Sequence, residues 1–169
     1  MMAGDIPAAP IGATVGMTLV SAENATVVSR RPRSIASWQD VLVRDLNPTS
    51  ASMAGGWDPR WAKVLAVETD DDAGAGAAIV DTNGDGADIN IDRYTRAPGG
   101  DWEPGPSGNI GDKGWCRWET GVACWGRTTP GRTVQIEYAG ARHQVTTASS
   151  GWWLFVTSHA DSTSEPRHI

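Results

Sequence analysis

The residues with the clearest chemical potential lie in an acidic stretch in the middle of the chain. Residues 68–92 contain eight acidic side chains and no basic one. Closely spaced carboxylates are the ligands that hold hard cations such as Ca²⁺. A run of like charge is also typical of a solvated edge. The spacing of the individual residues must therefore be used to distinguish a cation site from an exposed turn.

The second half of that stretch, Asp81-Thr-Asn-Gly-Asp-Gly-Ala-Asp-Ile-Asn-Ile-Asp92, resembles the calcium loops of EF-hands, dockerins and FG-GAP repeats. The resemblance covers these twelve residues only. It places four side chains at ligand positions: Asp81, Asn83, Asp85 and Asp92. It also implies Gly86 at the sharp bend and the Ala87 carbonyl in the ring. The ninth position departs from the pattern, because Ile89 stands where dockerins and FG-GAP loops tend to have Asp or Asn.

The same residues also predict a plain β-hairpin, which we favour. Asn-Gly and Asp-Gly are the best turn dipeptides, and strands predicted at 77–80 and 87–94 flank them. A strand after the loop argues against an EF-hand, whose loop leads into a helix. In a meander with a strand at 62–69, Asp70–Asp72 would lie at the opposite end from Asp81. The cofactor expected is accordingly none, or calcium if the loop binds an ion.

Tryptophan is the other unusual feature, with nine residues against one phenylalanine. Such an excess suits either a small core that needs bulk or an exposed aromatic face for ligands. Trp102 lies in the turn-rich segment 98–114, which predicts a long functional or mobile loop. Trp115 and Trp118 follow it. These three rings are the candidates for stacking on a ligand.

Two cysteines are interleaved with those tryptophans. If Glu119-Thr120-Gly121 is a three-residue turn, Cys116 comes directly opposite Cys124 and a disulfide can close. Two free thiols in a reducing compartment are the alternative. The spacing lacks the further Cys or His that a zinc site needs.

The elements that must position these residues are clearest at 133–157. Val134, Ile136 and Tyr138 alternate with polar residues, which indicates a strand with one buried face. Folding back at Ala139-Gly140 opposes five pairs: Thr133 and Thr146, Val134 and Val145, Gln135 and Gln144, Ile136 and His143, Glu137 and Arg142. The segment 152–156 is apolar on both faces and predicts a strand at the centre of the sheet.

The remaining elements are less sharply defined. Residues 1–12 predict an arm, 13–20 and 25–29 short strands, and 158–169 a polar tail. Ser37 and the apolar spacing that follows predict one helix at 38–46, ended by Asn47-Pro48, with a loop at 48–56. Together these patterns predict one β-rich domain at 13–157. We expect an antiparallel β-sandwich or small barrel with one short α-helix.

The composition of the chain argues against some classes of binding partner. A net charge of −6 and a pI near 4.9 disfavour nucleic acid, which is bound mainly through Lys and Arg. No apolar run approaches the roughly 20 residues that span a bilayer. The N-terminus lacks the pattern of a signal peptide, which predicts a cytoplasmic location. Twelve Arg against two Lys indicate a high-GC bacterial genome.

No common catalytic motif occurs in the sequence, and the three histidines stand apart from one another. We therefore expect a non-catalytic binding module that acts through a protein partner, as an inhibitor, immunity or assembly protein does. A carbohydrate-binding sandwich that uses Trp102, Trp115 and Trp118 is one alternative. An enzyme with a carboxylate-based site is the other.

Overall fold

The computed structural model describes residues 43–159 and 163–169. These residues are mainly β, with ten strands and one short helix, as the sequence predicts. Their three sheets are antiparallel, and none closes into a barrel. The predicted arm at 1–12 and the predicted strands at 13–20 and 25–29 lie outside the described residues.

The first sheet is a four-stranded meander that confirms the three strands predicted around the acidic stretch. Its strands are β1 (Lys63–Asp70), β2 (Ala75–Asp81), β3 (Ile89–Arg96) and β4 (Trp102–Asn109), in that spatial order. All seven residues of β2 are buried, because both faces of this strand are covered. The turns before and after β2 lie at opposite ends of the strand. Asp70–Asp72 and Asp81 are thus separated, as expected.

The loop predicted at 98–114 is wrong, since much of it is β4. Its Gly and Pro content suggested a turn, but β4 pairs only with β3 and lies at the edge of its sheet. Proline lacks the N–H that a central strand needs, and an edge strand can dispense with it on its open side. Pro104 and Pro106 are accommodated there, with a register shift opposite them.

The second sheet contains β5 (Gly114–Arg117), β6 (Gly121–Arg127) and β9 (Trp152–Ser158), in the order β5-β6-β9. The prediction that residues 152–156 are covered on both faces is confirmed, because all five are buried. Their expected position at the centre of the sheet is wrong. The central strand is β6, which is buried from Gly121 to Gly126.

The third sheet confirms the predicted hairpin pair by pair. Its strands are β7 (Thr133–Tyr138), β8 (Ala141–Thr146) and β10 (Arg167–His168), in the order β10-β7-β8. All five predicted pairs occur, including Glu137 opposite Arg142. The turn has two residues, and Ala139 takes a φ of 49° despite its side chain. The predicted polar tail is not wholly irregular, because β10 adds to β7.

The helix begins where the sequence predicted one to end. α1 (Pro48–Ala54) occupies the predicted loop at 48–56; of the predicted helix at 38–46, residues 43–46 are not helical and the remainder lies outside the described residues. The dipeptide Asn-Pro suits both ends of a helix. Here Asn47 accepts N–H bonds from Thr49 and Ser50, and its own N–H is bound by the Ser50 hydroxyl. No helix of the described chain is long and apolar enough to cross a membrane.

The helix and sheets stack as four layers with three cores between them. The helix packs on the first sheet through a core that includes Ala51, Tyr94 and Trp102. The opposite face of the first sheet packs on Trp152, Leu154 and Val156 of β9. The alternate residues of β9, Trp153 and Phe155, pack on the third sheet. The second sheet is therefore the middle layer, and β9 contributes to the cores on both of its faces.

The substitution Trp102→Ala tests the core between α1 and the first sheet. Trp102 is 1% exposed, so we expect the free energy of unfolding to fall by about 3–5 kcal/mol in denaturant titrations. The matched control is Trp61→Ala, because Trp61 is 63% exposed and its loss should change stability by less than about 0.5 kcal/mol. Equal losses in the two variants would contradict the layer arrangement.

Candidate functional site

The acidic loop between β2 and β3 is a compact turn fastened by its own side chains. The Thr82 N–H donates to the Asp88 carbonyl at 3.0 Å and closes the loop. Asp81 is buried, and its two carboxylate oxygens accept from the N–H groups of Gly84 and Gly86 at 2.8 and 3.0 Å. The same pattern recurs within the loop, where Asn83 and Asp85 accept the N–H two residues on.

The structure does not bring Asp92 together with the other three proposed calcium ligands. Residues of a strand point alternately to opposite faces. Asp81 lies two residues after Ile79, which packs between the first and second sheets. Asp92 lies two residues before Tyr94, which packs towards α1. The sheet itself thus separates Asp92 from Asp81, and only Asp81, Asn83 and Asp85 share the loop.

Asp92 instead belongs to a polar site beneath the end of α1. Its side chain is buried, and its Oδ2 accepts from the Trp57 indole N–H at 2.6 Å. Gly55 makes this contact possible, because a Cβ there would lie 2.5 Å from Oδ2 and 2.7 Å from the indole nitrogen. Asp92 Oδ1 is buried without a hydrogen-bond partner of good geometry.

Burial makes the charged form of Asp92 less favourable than it would be in water. Burial raises the pKa of this carboxyl, and this effect outweighs three opposing ones: the Ser107 hydroxyl, the Trp57 indole and the positive charge of Arg93. Ser107 is the residue directly opposite on β4, but its hydroxyl does not complete a well-formed bond to Oδ1. The Trp57 indole therefore holds the Asp92 carboxyl group in place, but the hydrogen bonds of this group do not fully offset the free-energy cost of its burial.

The three candidate tryptophans are not a common surface. Trp102 is buried in the core, with the Arg96 guanidinium 4.4 Å from its ring centre. Trp118 is half-buried against the core between the first and second sheets. Trp115 is 40% exposed and lies near the Arg117 guanidinium. Only one of the three thus presents much of its ring to a ligand.

Cys116 does not lie opposite Cys124, as a three-residue turn would require, and both thiols are free. The turn after β5 contains two residues instead of three, because Trp118 and Gly121 exchange backbone hydrogen bonds. This difference shifts the register by one, so Cys116 pairs with Ala123 and Trp115 pairs with Cys124. Burial raises the pKa of Cys124 to about 12, which keeps this thiol protonated and unreactive.

Sequence reasoning missed the two tryptophans that matter most for a site. Trp57, the partner of Asp92, follows a Gly-Gly pair that looked like a linker. Trp61 falls outside the strand predicted at 62–69 and was given no role, and it lies just before β1 and is 63% exposed. A signal for Trp61 existed in Asp58-Pro59, a turn or helix start that takes the chain out of the sheet. No local signal linked Trp57 to Asp92.

The acidic loop gives a direct test of cation binding. We expect the thermal midpoint to be the same in millimolar calcium and in EDTA, because both Asp81 oxygens are bound by backbone N–H groups and Asp92 lies on the other face. A midpoint that rises with calcium concentration, and does so less in Asp85→Ala, would instead establish a bound ion.

The buried carboxyl of Asp92 predicts a pH dependence of stability. A raised pKa means that the folded protein binds the proton more tightly than the unfolded chain, so stability falls as pH rises above about 4. Asp92→Asn carries no such proton. We therefore expect the stability of wild type relative to Asp92→Asn to decrease between pH 4 and 7 in denaturant titrations. Asp85→Asn is the matched control for removal of one carboxylate. An increase for wild type over this range would show that the carboxylate is instead held ionised.

Comparison with known proteins leaves the chain without a relative to argue from. No protein-family model, no curated protein and no solved structure matches it. Function must therefore be inferred from the side chains described above.

Proposed function

We propose that the protein is a non-catalytic binding module that acts through a basic protein partner, in the manner of an inhibitor, immunity or assembly protein. The observation that carries this proposal is Trp61, a large aromatic side chain with 63% of its surface exposed. Exposed tryptophan is costly to keep in water and is enriched among the residues that dominate binding energy in protein interfaces.

Trp61 is presented from a fixed turn. Its backbone N–H donates to the Asp58 carbonyl at 3.0 Å, and the Arg60 guanidinium pairs with the Asp58 carboxylate. The Trp61 carbonyl packs against Gly84 of the acidic loop, and the Lys63 ammonium donates to the Gly84 carbonyl at 2.9 Å. The backbone that carries the ring is thus held against the β2–β3 loop before any partner arrives, which reduces the entropy lost on binding.

The charge beside this ring favours a basic partner. Asp85 and Asp88 are exposed in the loop that touches the Trp61 backbone, and neither forms an ion pair with another described residue. The whole chain carries a net charge of −6. Complementary charge speeds encounter and selects among partners, so a surface of this kind suits a positively charged target.

The alternatives have less support. A carbohydrate site needs two or three exposed coplanar rings, whereas Trp102 is buried and Trp118 is half-buried. A carboxylate-based enzyme needs a pair of acids fixed in space, whereas Asp81 and Asp92 lie on opposite faces of their sheet. The imidazole of His143 packs against Phe155, with ring centres 4.8 Å apart. The cytoplasmic location stays a prediction from the sequence.

The test is capture of a partner by immobilised protein from a lysate of the native host, followed by affinity measurement with the purified partner. We expect Trp61→Ala to raise the Kd at least about 30-fold, because loss of a central aromatic anchor costs about 2 kcal/mol or more. Combined Asp85→Asn and Asp88→Asn should mainly slow association and reduce its salt dependence.

Trp115→Ala is the matched control, since Trp115 is also an exposed tryptophan but lies on β5 in a different sheet. The Trp115→Ala variant should bind the partner with the affinity of wild type. A partner bound equally well by Trp61→Ala and wild type would overturn the proposed surface, whatever its charge.

A further inference from the structure

A cavity of about 660 Å³ lies between the end of α1 and the neighbouring strands β3 and β4. Three short segments line it: residues 54–56 at the end of the helix, 92–94 of β3, and 103–105 with 107 of β4. Its volume falls within the range of about 300–1,000 Å³ that is typical of small-molecule sites. The cavity is thus large enough for a ligand the size of an amino acid.

The wall of this cavity contains an incompletely satisfied carboxylate. Asp92 is 3% exposed, and while Oδ2 accepts a hydrogen bond from the Trp57 indole, Oδ1 has no hydrogen-bond partner of good geometry. A buried polar atom without a partner costs free energy, and a buried charge costs more. A ligand that donates to Oδ1 would remove this cost. Asp92 is thereby marked as the recognition group of the cavity.

The surroundings indicate the charge of such a ligand. Glu103 is an exposed residue of the lining, but it pairs with Thr95 and so lies on the other face of the sheet from Asp92, which leaves Asp92 as the acidic side chain on the cavity face. The guanidinium of Arg93, the basic residue of the lining, donates through Nε to the Pro106 carbonyl at 2.8 Å. A metal ion would need more protein ligands: the described residues contain no group of three His, Cys, Asp or Glu side chains that could hold one. An organic cation needs only the carboxylate and room.

We propose that this cavity binds a small organic cation with N–H donors, a guanidinium or an ammonium group, with the Asp92 carboxylate as its counter-ion. The inference goes beyond the binding surface at Trp61 and does not depend on it. A charge-assisted hydrogen bond from the cation to Oδ1 would satisfy the second oxygen of Asp92. The other oxygen, Oδ2, already accepts a hydrogen bond from Trp57.

Access to Oδ1 is controlled by small groups. Ser107 lies opposite Asp92 in the β3–β4 register and lines the same cavity, so a ligand's N–H would reach Oδ1 beside the Ser107 hydroxyl. A Cβ on Gly56 would meet no atom within 4 Å, so the wall beneath the helix end is open at that position.

The experiment is a titration of ¹⁵N-labelled protein with N-acetyl-arginine amide and with N-acetyl-lysine amide, followed at the Trp57 indole N–H. We expect a saturable shift of this signal with at least one probe, and the tighter probe identifies the preferred cation. Asp92→Asn should weaken that binding at least about tenfold, the worth of a hydrogen bond to a charged group. N-acetyl-citrulline amide, a neutral analogue of the arginine probe, should bind at least about tenfold more weakly than the arginine probe.

Matched variants separate the site from general surface charge. Asp85→Asn removes the same charge from the exposed loop and should leave the affinity unchanged. Ser107→Ala should keep or strengthen binding, because it uncovers Oδ1. Glu103→Gln removes a charge from the opposite face of the same sheet and should likewise leave the affinity unchanged.

The proposal is overturned by any of three results. The first is no saturable Trp57 shift with either cation. The second is equal affinity in Asp92→Asn and wild type or, if Asp92→Asn does not fold, equal affinity of the wild-type protein for the arginine probe and its neutral citrulline analogue. The third is an equal loss in Asp85→Asn, which would mean that the probes bind by net charge alone.

Discussion

The architecture depends on contacts between tryptophan rings and glycines on neighbouring strands of the middle sheet. Gly114 pairs with Trp125 and Gly126 pairs with Trp153. A Cβ on either glycine would lie 2.6–2.8 Å from the opposing ring, closer than any side chain could tolerate. Trp125 packs towards the first sheet and Trp153 towards the third. The glycines therefore let the rings lie against the middle sheet on both faces, and both outer sheets pack onto the surface so formed.

This use of tryptophan changes the meaning of the composition. Bulk in a thin core accounts for the buried rings, so a high tryptophan content says little by itself about ligands. A candidate site is instead recognised by a residue that breaks the rule of apolar side chains inside and polar side chains outside. Trp61 departs from it by exposure, and Asp92 departs from it as a carboxylate placed where the packing is otherwise apolar. The two departures differ in physical kind and point to different partners.

Local patterns predicted those parts of the fold in which neighbouring residues carry the whole signal. The register of the hairpin at 133–146 was predictable because its two faces differ in polarity and Ala139-Gly140 fixes the turn. The register at Cys116 was not, because a turn of two residues and one of three are equally compatible with Glu119-Thr120 and differ by one residue along the whole strand. Asn47-Pro48 and the prolines of β4 were misassigned for a similar reason. A proline can follow the end of a helix, begin a helix or lie in an edge strand. Which of these occurs depends on the packing of the surrounding elements.

The site was less predictable than the fold. Asp92 was selected for its place in a twelve-residue spacing, but its environment is set by Trp57, 35 residues earlier, and by Ser107 on the next strand. Nothing within a short window of sequence records either contact. The loop residues Asp81, Asn83 and Asp85 do lie in one turn, because their mutual geometry is local.

The position of β9 in two cores also constrains the order in which the protein can form. Trp152, Leu154 and Val156 complete the core against the first sheet, and Trp153 and Phe155 complete the core against the third. All five residues belong to the last long strand of the chain. Neither core can therefore be completed during synthesis until residues 152–156 emerge from the ribosome. Assembly of this protein is in that sense a late, nearly simultaneous closure of two interfaces by a single strand.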